Sequence, residues 1–179
     1  MNLSIDTSRG VASLRLSKAG GVNAESDVSA ALTMLLADAF TLYFKTKSFH
    51  WQIARPNFYD FQPMLDEQAE QILAVTDVIA RRVCELGGTT LRSIGHIARL
   101  QRLADNEADF VAPADMLTEL ARDNRQLASF LRLTRDVCEV HRDVVSADYF
   151  EAWIDEAEAR TWFLIETWRA HVRSVVPVT

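Results

Sequence analysis

Four long stretches of this chain repeat apolar residues at steps of three and four, the period of a helix with one buried face. These stretches lie at 27–53, 60–86, 114–142 and 148–172. Glycine and proline are scarce, with 6 and 4 copies among 179 residues, so few positions break a helix or form the turns of a β fold. We therefore predict an all-α protein built on four long helices.

The segments between the predicted helices are short, long and short. A break at Pro56 ends the first helix, Gly87-Gly88 ends the second, and a short turn at 143–147 precedes the fourth. The second and third helices are separated by roughly 25 residues, which include a short helical piece at 93–103. A connection of that length can span a helix of roughly 40 Å, so helices two and three can run parallel. One long crossover within a four-helix bundle is the ferritin-like topology.

One domain and two short tails account for the chain. We predict a bundle at 26–173, a flexible N-terminal tail at 1–25 and a C-terminal tail at 174–179. The N-terminal tail has a net charge of +1 and is either a solvated arm or a weak DNA-binding arm. The whole chain carries −6, which argues against DNA binding by the folded body. We therefore expect DNA binding to be weak or absent.

The apolar stripes also predict which side chains are buried. Phe44 falls in the stripe of the first helix and Trp162 on the inner side of the fourth. Cys84 and Cys138 are expected to be buried thiols, because no CxxC pair indicates a disulfide framework or a zinc site. A reducing cytoplasm is the expected location. No apolar run reaches about 18 residues, so no membrane span is expected.

A polar stripe runs along the second helix. Gln62, Asp66 and Glu70 follow at steps of four, and Asp77 lies three turns beyond Asp66 on nearly the same face. His50 sits at the end of the preceding helix. Imidazole and carboxylates together suit iron, manganese or zinc. A stripe of this kind is also typical of a solvated helix face, and spacing alone leaves both interpretations open.

Several segments of the chain resemble the Dps family, the DNA-binding proteins from starved cells, or mini-ferritins. They are KTKSFHW at 45–51, PNF at 56–58, LDEQ at 65–68, CELGG at 84–88 and EAWIDEAEARTWFL at 151–164. The resemblance implies a shell of twelve subunits that oxidises iron(II), preferentially with hydrogen peroxide, and stores the ferric mineral inside. It further implies roles in iron homeostasis and the stress response.

The family's ferroxidase ligands are shared between two subunits at a two-fold interface. In this resemblance His50 and Asp66 match the first His and the first Asp of one subunit. Asp77 matches the Asp that the two-fold partner supplies. Gln62 stands where the family has a second His, and Arg81 stands where the partner's Glu is expected.

These departures put the ferroxidase activity in question. Gln62 offers a weaker ligand than imidazole, and the following Pro63 disfavours helical geometry there, which would redirect the side chain. Arg81 stays charged and could take the place of the metal ion. Glu70 is a substitute carboxylate if Arg81 turns outward. Three alternatives stay open. They are normal ferroxidase activity, a weakened or rebuilt iron site, and a metal-free shell that is structural or protects DNA.

The resemblance also implies acid-lined three-fold pores for iron entry near the start of the fourth helix. Asp143, Asp148 and Glu151 are the acids in this region. Carboxylates at a helix N-terminus also cap the helix and match its dipole, so a structural role is the alternative.

Overall fold

Five helices and no strand make up the described part of the chain. The computed structural model describes residues 24–53 and 61–175, with side chains described as far as residue 173. The helices are α1 (Ala24–Gln52), α2 (Phe61–Glu85), α3 (Ile94–Leu100), α4 (Pro113–Val140) and α5 (Val144–Val175). The prediction of a four-helix bundle with a short helix in the long crossover is confirmed.

The four long helices enclose one apolar core. α1 packs against α2 and α4, and α4 packs against α5. All four long helices contribute to the largest fully buried side chains of this core. These are Leu32, Leu35, Leu36, Leu42, Phe49, Leu65, Ile72, Ile79, Met116, Leu117, Leu120 and Phe150. Each large side chain of this kind contributes about 2 kcal/mol when it is removed from water, so the core holds the bundle together.

Buried ionic contacts fix the crossover to the bundle. Asp38 on α1 is fully buried and accepts hydrogen bonds from the backbone N–H groups of Arg102 and Leu103 at 2.6 and 3.2 Å. The Arg102 side chain also binds Asp38, and its guanidinium lies 3.8 Å from the centre of the Phe130 ring. Burial raises the pKa of Asp38, although Arg102 and these hydrogen bonds oppose the shift.

Lys45 forms a second buried contact. Its ammonium group lies 2.8 Å from Glu119 and 2.7 Å from Asp123 on α4, and it also donates to the carbonyl of Ala104. Lys45 is 5% exposed, and two carboxylates beside it compensate for the loss of water. This cluster ties α1, α4 and the crossover together at the end of the bundle where α1 carries His50.

The turn between α4 and α5 is shorter than predicted. α5 begins at Val144 and not at residue 148, so the predicted turn at 143–147 is wrong. Asp143 directly precedes α5 and accepts a hydrogen bond from the backbone N–H of Ser146 at 3.1 Å, which caps α5. The β-branched Val144 and Val145 have low helix propensity, so the sequence did not indicate that the helix begins here.

The glycine pair after α2 closes the helix as predicted. Gly87 has a φ of 74°, the left-handed conformation that favours glycine at this position. A Cβ atom on Gly88 would lie 1.8 Å from Oγ of Ser29, so only glycine allows α1 to approach so closely. By length and composition α1 could span a membrane. However, 67% of its most apolar 18-residue stretch is buried inside the bundle, as is typical of a core helix in a soluble protein.

Three predictions of burial are wrong. Phe44 and Trp162 are 64% and 58% exposed, and Cys84 is an exposed thiol. The apolar stripes are wider than the faces that the other helices of the same chain cover. Cys138 is buried as predicted. Most of the predicted N-terminal tail and the last residues of the C-terminal tail lie outside the described residues, so the domain boundaries stay predictions.

Candidate metal centre

The candidate centre begins where the end of α1 meets the start of α2. His50 is partly buried, and its Nδ1 atom has no hydrogen-bond partner among the described residues. Asp66 lies near enough for a charge on His50 to lower its pKa, although the larger cause is a hydrogen bond from Lys47. Lys47, one turn before His50, contacts Asp66, so His50 and Asp66 lie within electrostatic reach of each other at the end of α1 and the start of α2.

Lys47 is a third member of this group that the sequence patterns did not reveal. Its ammonium group donates to Oδ1 of Asp66, and the two side chains are 20% and 45% exposed. The hydrogen bond to Asp66 raises the pKa of Lys47, and the nearby charge of Glu70 adds to the shift. A metal ion that binds this oxygen of Asp66 must therefore displace Lys47. Its position one turn before His50 was the available signal.

The side chain of Gln62 forms a hydrogen bond to the backbone at the end of α1. Its Nε2 atom donates to the backbone carbonyl of Ile53 at 3.0 Å and lies 3.5 Å from that of His50. This bond satisfies a carbonyl that has no partner within the helix. Gln62 is helical although Pro63 follows it, because a proline in the first turn removes an N–H that would have no partner there. The predicted loss of helical geometry at Gln62 is wrong.

Asp77 and Arg81 lie apart from this group. Asp77 is eleven residues after Asp66, which places it roughly 16 Å further along α2. The two carboxylates cannot share an ion within one chain. Arg81 is 67% exposed and lies 3.9 Å from Glu85. Among the described residues no group of three or more His, Cys, Asp or Glu side chains is placed to hold a metal ion.

The candidate pore residues divide into two kinds. Asp143 is 10% exposed and accepts hydrogen bonds from Arg82 at 2.8 Å and from the hydroxyl and N–H groups of Ser146. Burial raises the pKa of Asp143, the bonds from Ser146 and Arg82 lower it, and the result lies below the ordinary value. Capping is therefore confirmed for Asp143. Asp148 and Glu151 are exposed on the first turns of α5.

A buried arginine lies in the middle of the bundle, where no pattern predicted one. Arg160 on α5 is 4% exposed and donates from Nε to Oδ1 of Asn124 on α4 at 2.8 Å. Its Nη1 atom lies 3.9 Å from Glu156 and has no hydrogen-bond partner among the described residues. Burial lowers the pKa of Arg160 to about 10. Burial also raises the pKa of Cys138 to about 12, so this thiol is unreactive at neutral pH.

Comparison with known proteins assigns the fold to a family. A ferritin-like domain model matches residues 29–170. The DNA protection during starvation protein of Agrobacterium fabrum is 31% identical over 151 residues, which cover 84% of this chain and 91% of that protein. The chain belongs to the Dps family of ferritin-like proteins. The family predicted from the sequence segments is confirmed.

Solved structures of Dps proteins share the architecture. The Dps protein of Bacillus brevis superposes with a TM-score of 0.77 at 23% identity, over 82% of this chain and 98% of that one. The Dps protein of Mycobacterium smegmatis gives a TM-score of 0.74 at 25% identity, over 84% and 92% of the two chains. The four long helices and the crossover are thus those of the Dps fold.

Proposed function

We propose that this chain is a cytoplasmic subunit of a hollow, homo-oligomeric Dps shell that binds, oxidises and stores iron and so limits oxidative damage. Family membership supports the shell, which we expect to have twelve subunits. The observation that supports the iron chemistry is that His50, near the end of α1, lies within electrostatic reach of Asp66, near the start of α2. An imidazole and a carboxylate of this kind are ligands that iron(II) prefers.

The proposed iron site is shared between two subunits. His50 and Asp66 come from one subunit, and Asp77 comes from its two-fold partner because it lies too far along α2 to join them. Glu70 and Gln62 are further candidate ligands. In this site the carboxylates attract iron(II) and the imidazole orients it, while the exposed surface of both helices is covered by the partner.

The same residues predict a weakened site. Lys47 competes with iron(II) for Asp66. Gln62 uses its amide nitrogen at the end of α1, and Arg81 adds a positive charge to the α2 face. These three features favour the second candidate function, a shell that lacks ferroxidase activity and acts as a structural or DNA-protecting particle.

Anaerobic titration of the purified shell with iron(II), followed by hydrogen peroxide, separates the two functions. We expect saturable binding near one ion per subunit and formation of ferric iron after peroxide is added. Asp66→Asn should abolish both, whereas Asp105→Asn, a change at an exposed acid of the crossover, should leave both intact. Absence of saturable binding in the unaltered shell would exclude the oxidising function.

Entry of iron and contact with DNA follow from the surface charge. Asp148 and Glu151 are the exposed acids proposed to line the pore, since Asp143 is occupied by its own contacts. The net charge of −6 predicts weak or absent DNA binding. A gel shift at physiological salt should show no complex, and tight binding there would contradict the prediction.

A further inference from the structure

One face of α2 is covered by none of the helices that the structure describes. Asp66, Glu70, Leu73, Asp77 and Arg81 fall within a sector of roughly 80° on this face, at 100° per residue. All five side chains are exposed or nearly so, and Leu73 is 39% exposed. An apolar residue at the centre of a charged stripe is typical of a surface that another protein covers.

This α2 face is complementary to a second copy of itself. Leu73 and Ala74 lie at its midpoint, Asp66 lies seven residues before Leu73, and Arg81 lies seven residues after Ala74. In a two-fold interface each residue i meets residue j while j meets i. If two copies of α2 cross antiparallel at Leu73 and Ala74, the acid of each copy lies opposite the arginine of the other.

We propose that Arg81 of each subunit forms an ion pair with Asp66 of a second copy, so that two such pairs hold the two-fold interface without a metal ion. The inference rests on the proposed shell and describes its iron-free state, in which iron(II) must displace Arg81 from Asp66 in order to bind. Lys47 occupies Oδ1 of Asp66, and Asp66 stays 45% exposed, so its carboxylate has room for a second donor. Arg81 is 67% exposed, and its ion pair within the described residues is a 3.9 Å contact with Glu85, so its guanidinium can reach across to a second copy.

The charges at the interface explain why arginine suits this position. Each half of the interface gathers three carboxylates, those of Asp66 and Glu70 from one copy and of Asp77 from the other. Lys47 alone leaves these charges unbalanced, and like charges brought together repel. Arg81 adds a second cation with a planar fork that matches a carboxylate. The interface therefore closes before iron(II) or another divalent cation binds.

The pair also restricts how the helices cross. Asp66 and Arg81 each lie roughly 11 Å from the crossing point along the helix axis. Helices that cross at about 20° diverge by roughly 4 Å over that distance, which a long arginine side chain spans, whereas a crossing of about 50° separates them by roughly 9 Å. The short side chain of Ala74 allows close approach at the centre. The interface thus belongs to the class with the smaller crossing angle.

Sedimentation velocity and native mass spectrometry of the full chain in EDTA test this inference. The unaltered protein should stay assembled in EDTA and lose assembly as salt rises. Arg81→Glu should raise the dissociation constant of the two-fold dimer about tenfold or more in EDTA, and zinc should restore it because four carboxylates then surround a vacant cation position. Arg81→Gln should weaken the dimer less.

Arg92→Glu is the matched control, since Arg92 is an exposed arginine of the crossover that forms no ion pair with the described residues. It should leave assembly unchanged. Circular dichroism separates loss of folding from loss of assembly in every variant. The ion pair is contradicted if the unaltered protein is assembled but dissociates in EDTA, or if the Arg81→Glu protein assembles normally in EDTA. Neither result contradicts the proposed shell. Unaltered protein that is monomeric in every condition overturns both.

Discussion

Lys47 binds the carboxylate of Asp66 from the neighbouring helix, so the candidate iron site of this Dps chain already contains a cation of its own. The contact lowers the pKa of Asp66 and raises that of Lys47, which means that each group favours the charged form of the other. Iron(II) can bind Oδ1 of Asp66 only if its ligands offset the loss of this pair. Affinity at the site is therefore set by Lys47 as well as by the ligands.

Removal of this competitor gives the first prediction. Lys47→Met keeps the length and apolar part of the side chain and removes its charge, so the affinity for iron(II) should rise, by about tenfold at most because an exposed pair is screened by water. Anaerobic titration calorimetry measures the change. Lys47→Arg keeps the charge and should show no gain. Equal affinity in Lys47→Met and the unaltered shell would mean that Lys47 does not compete for Asp66.

Restoration of the family's ligands gives the second prediction. Gln62→His combined with Arg81→Glu should raise the initial rate of iron(II) oxidation by peroxide about tenfold, because an imidazole and a carboxylate replace a neutral amide and a cation. The hydrogen bond from Gln62 to Ile53 is lost, at a cost of about 1 kcal/mol in the free energy of unfolding. Stopped-flow absorbance gives the rates. An unchanged rate would show that these two positions do not control the site.

The cap of α5 gives a third prediction, on pH. The folded-state pKa of Asp143 lies below its unfolded value, so its charge stabilises the fold above pH 4 and this stability is lost as pH falls through the folded pKa. Asp143→Asn keeps an acceptor for Ser146 but loses the ion pair with Arg82. Calorimetry should show its Tm below that of the unaltered protein at pH 6, and the difference should shrink below pH 4.

A second variant separates the cap from the charge. Asp143→Ala removes the acceptor as well and should lower the free energy of unfolding by about a further 1 kcal/mol at every pH, because the N–H of Ser146 loses its partner. A Tm difference for Asp143→Asn that stays constant from pH 6 to pH 3 would contradict the assigned direction of the pKa.

Helical periodicity predicted the fold because the core of this chain follows it closely. Leu32, Leu65 and Phe150 recur at the expected steps and are buried. Phe44 and Trp162 obey the same period and are exposed, because a stripe on one helix does not show how much of its width another helix of that chain covers. Faces that a second copy covers look the same in the sequence as faces in the core.

The ionic part of the site was harder to predict. His50 and Asp66 were identified by the family's motifs, but the pairing of Lys47 with Asp66 depends on the angle at which α1 and α2 meet. Asp38 falls among apolar residues of α1, and its partner Arg102 is 64 residues further along the chain, a pairing that sequence spacing does not encode. Contacts between side chains of different helices emerge only when the helices are packed.

The arginine buried within the bundle gives the last prediction. Arg160 depends on Asn124 for the hydrogen bond that its Nε atom makes, and Glu156 approaches Nη1 at 3.9 Å. Asn124→Leu leaves a buried cation without that acceptor and should lower the free energy of unfolding by about 3 kcal/mol. Arg160→Met removes the charge itself but leaves Oδ1 of Asn124 without its donor, so it should cost about 1 to 2 kcal/mol, less than Asn124→Leu because no buried charge remains.

The double variant Asn124→Leu with Arg160→Met should therefore be more stable than Asn124→Leu alone, as expected when two residues share one buried interaction. Urea denaturation followed by circular dichroism measures all three at one protein concentration, because assembly adds to the apparent stability. If the losses in free energy of unfolding of the two single variants add in the double variant, Asn124 does not stabilise the buried Arg160. The guanidinium would then be held by water or by Glu156.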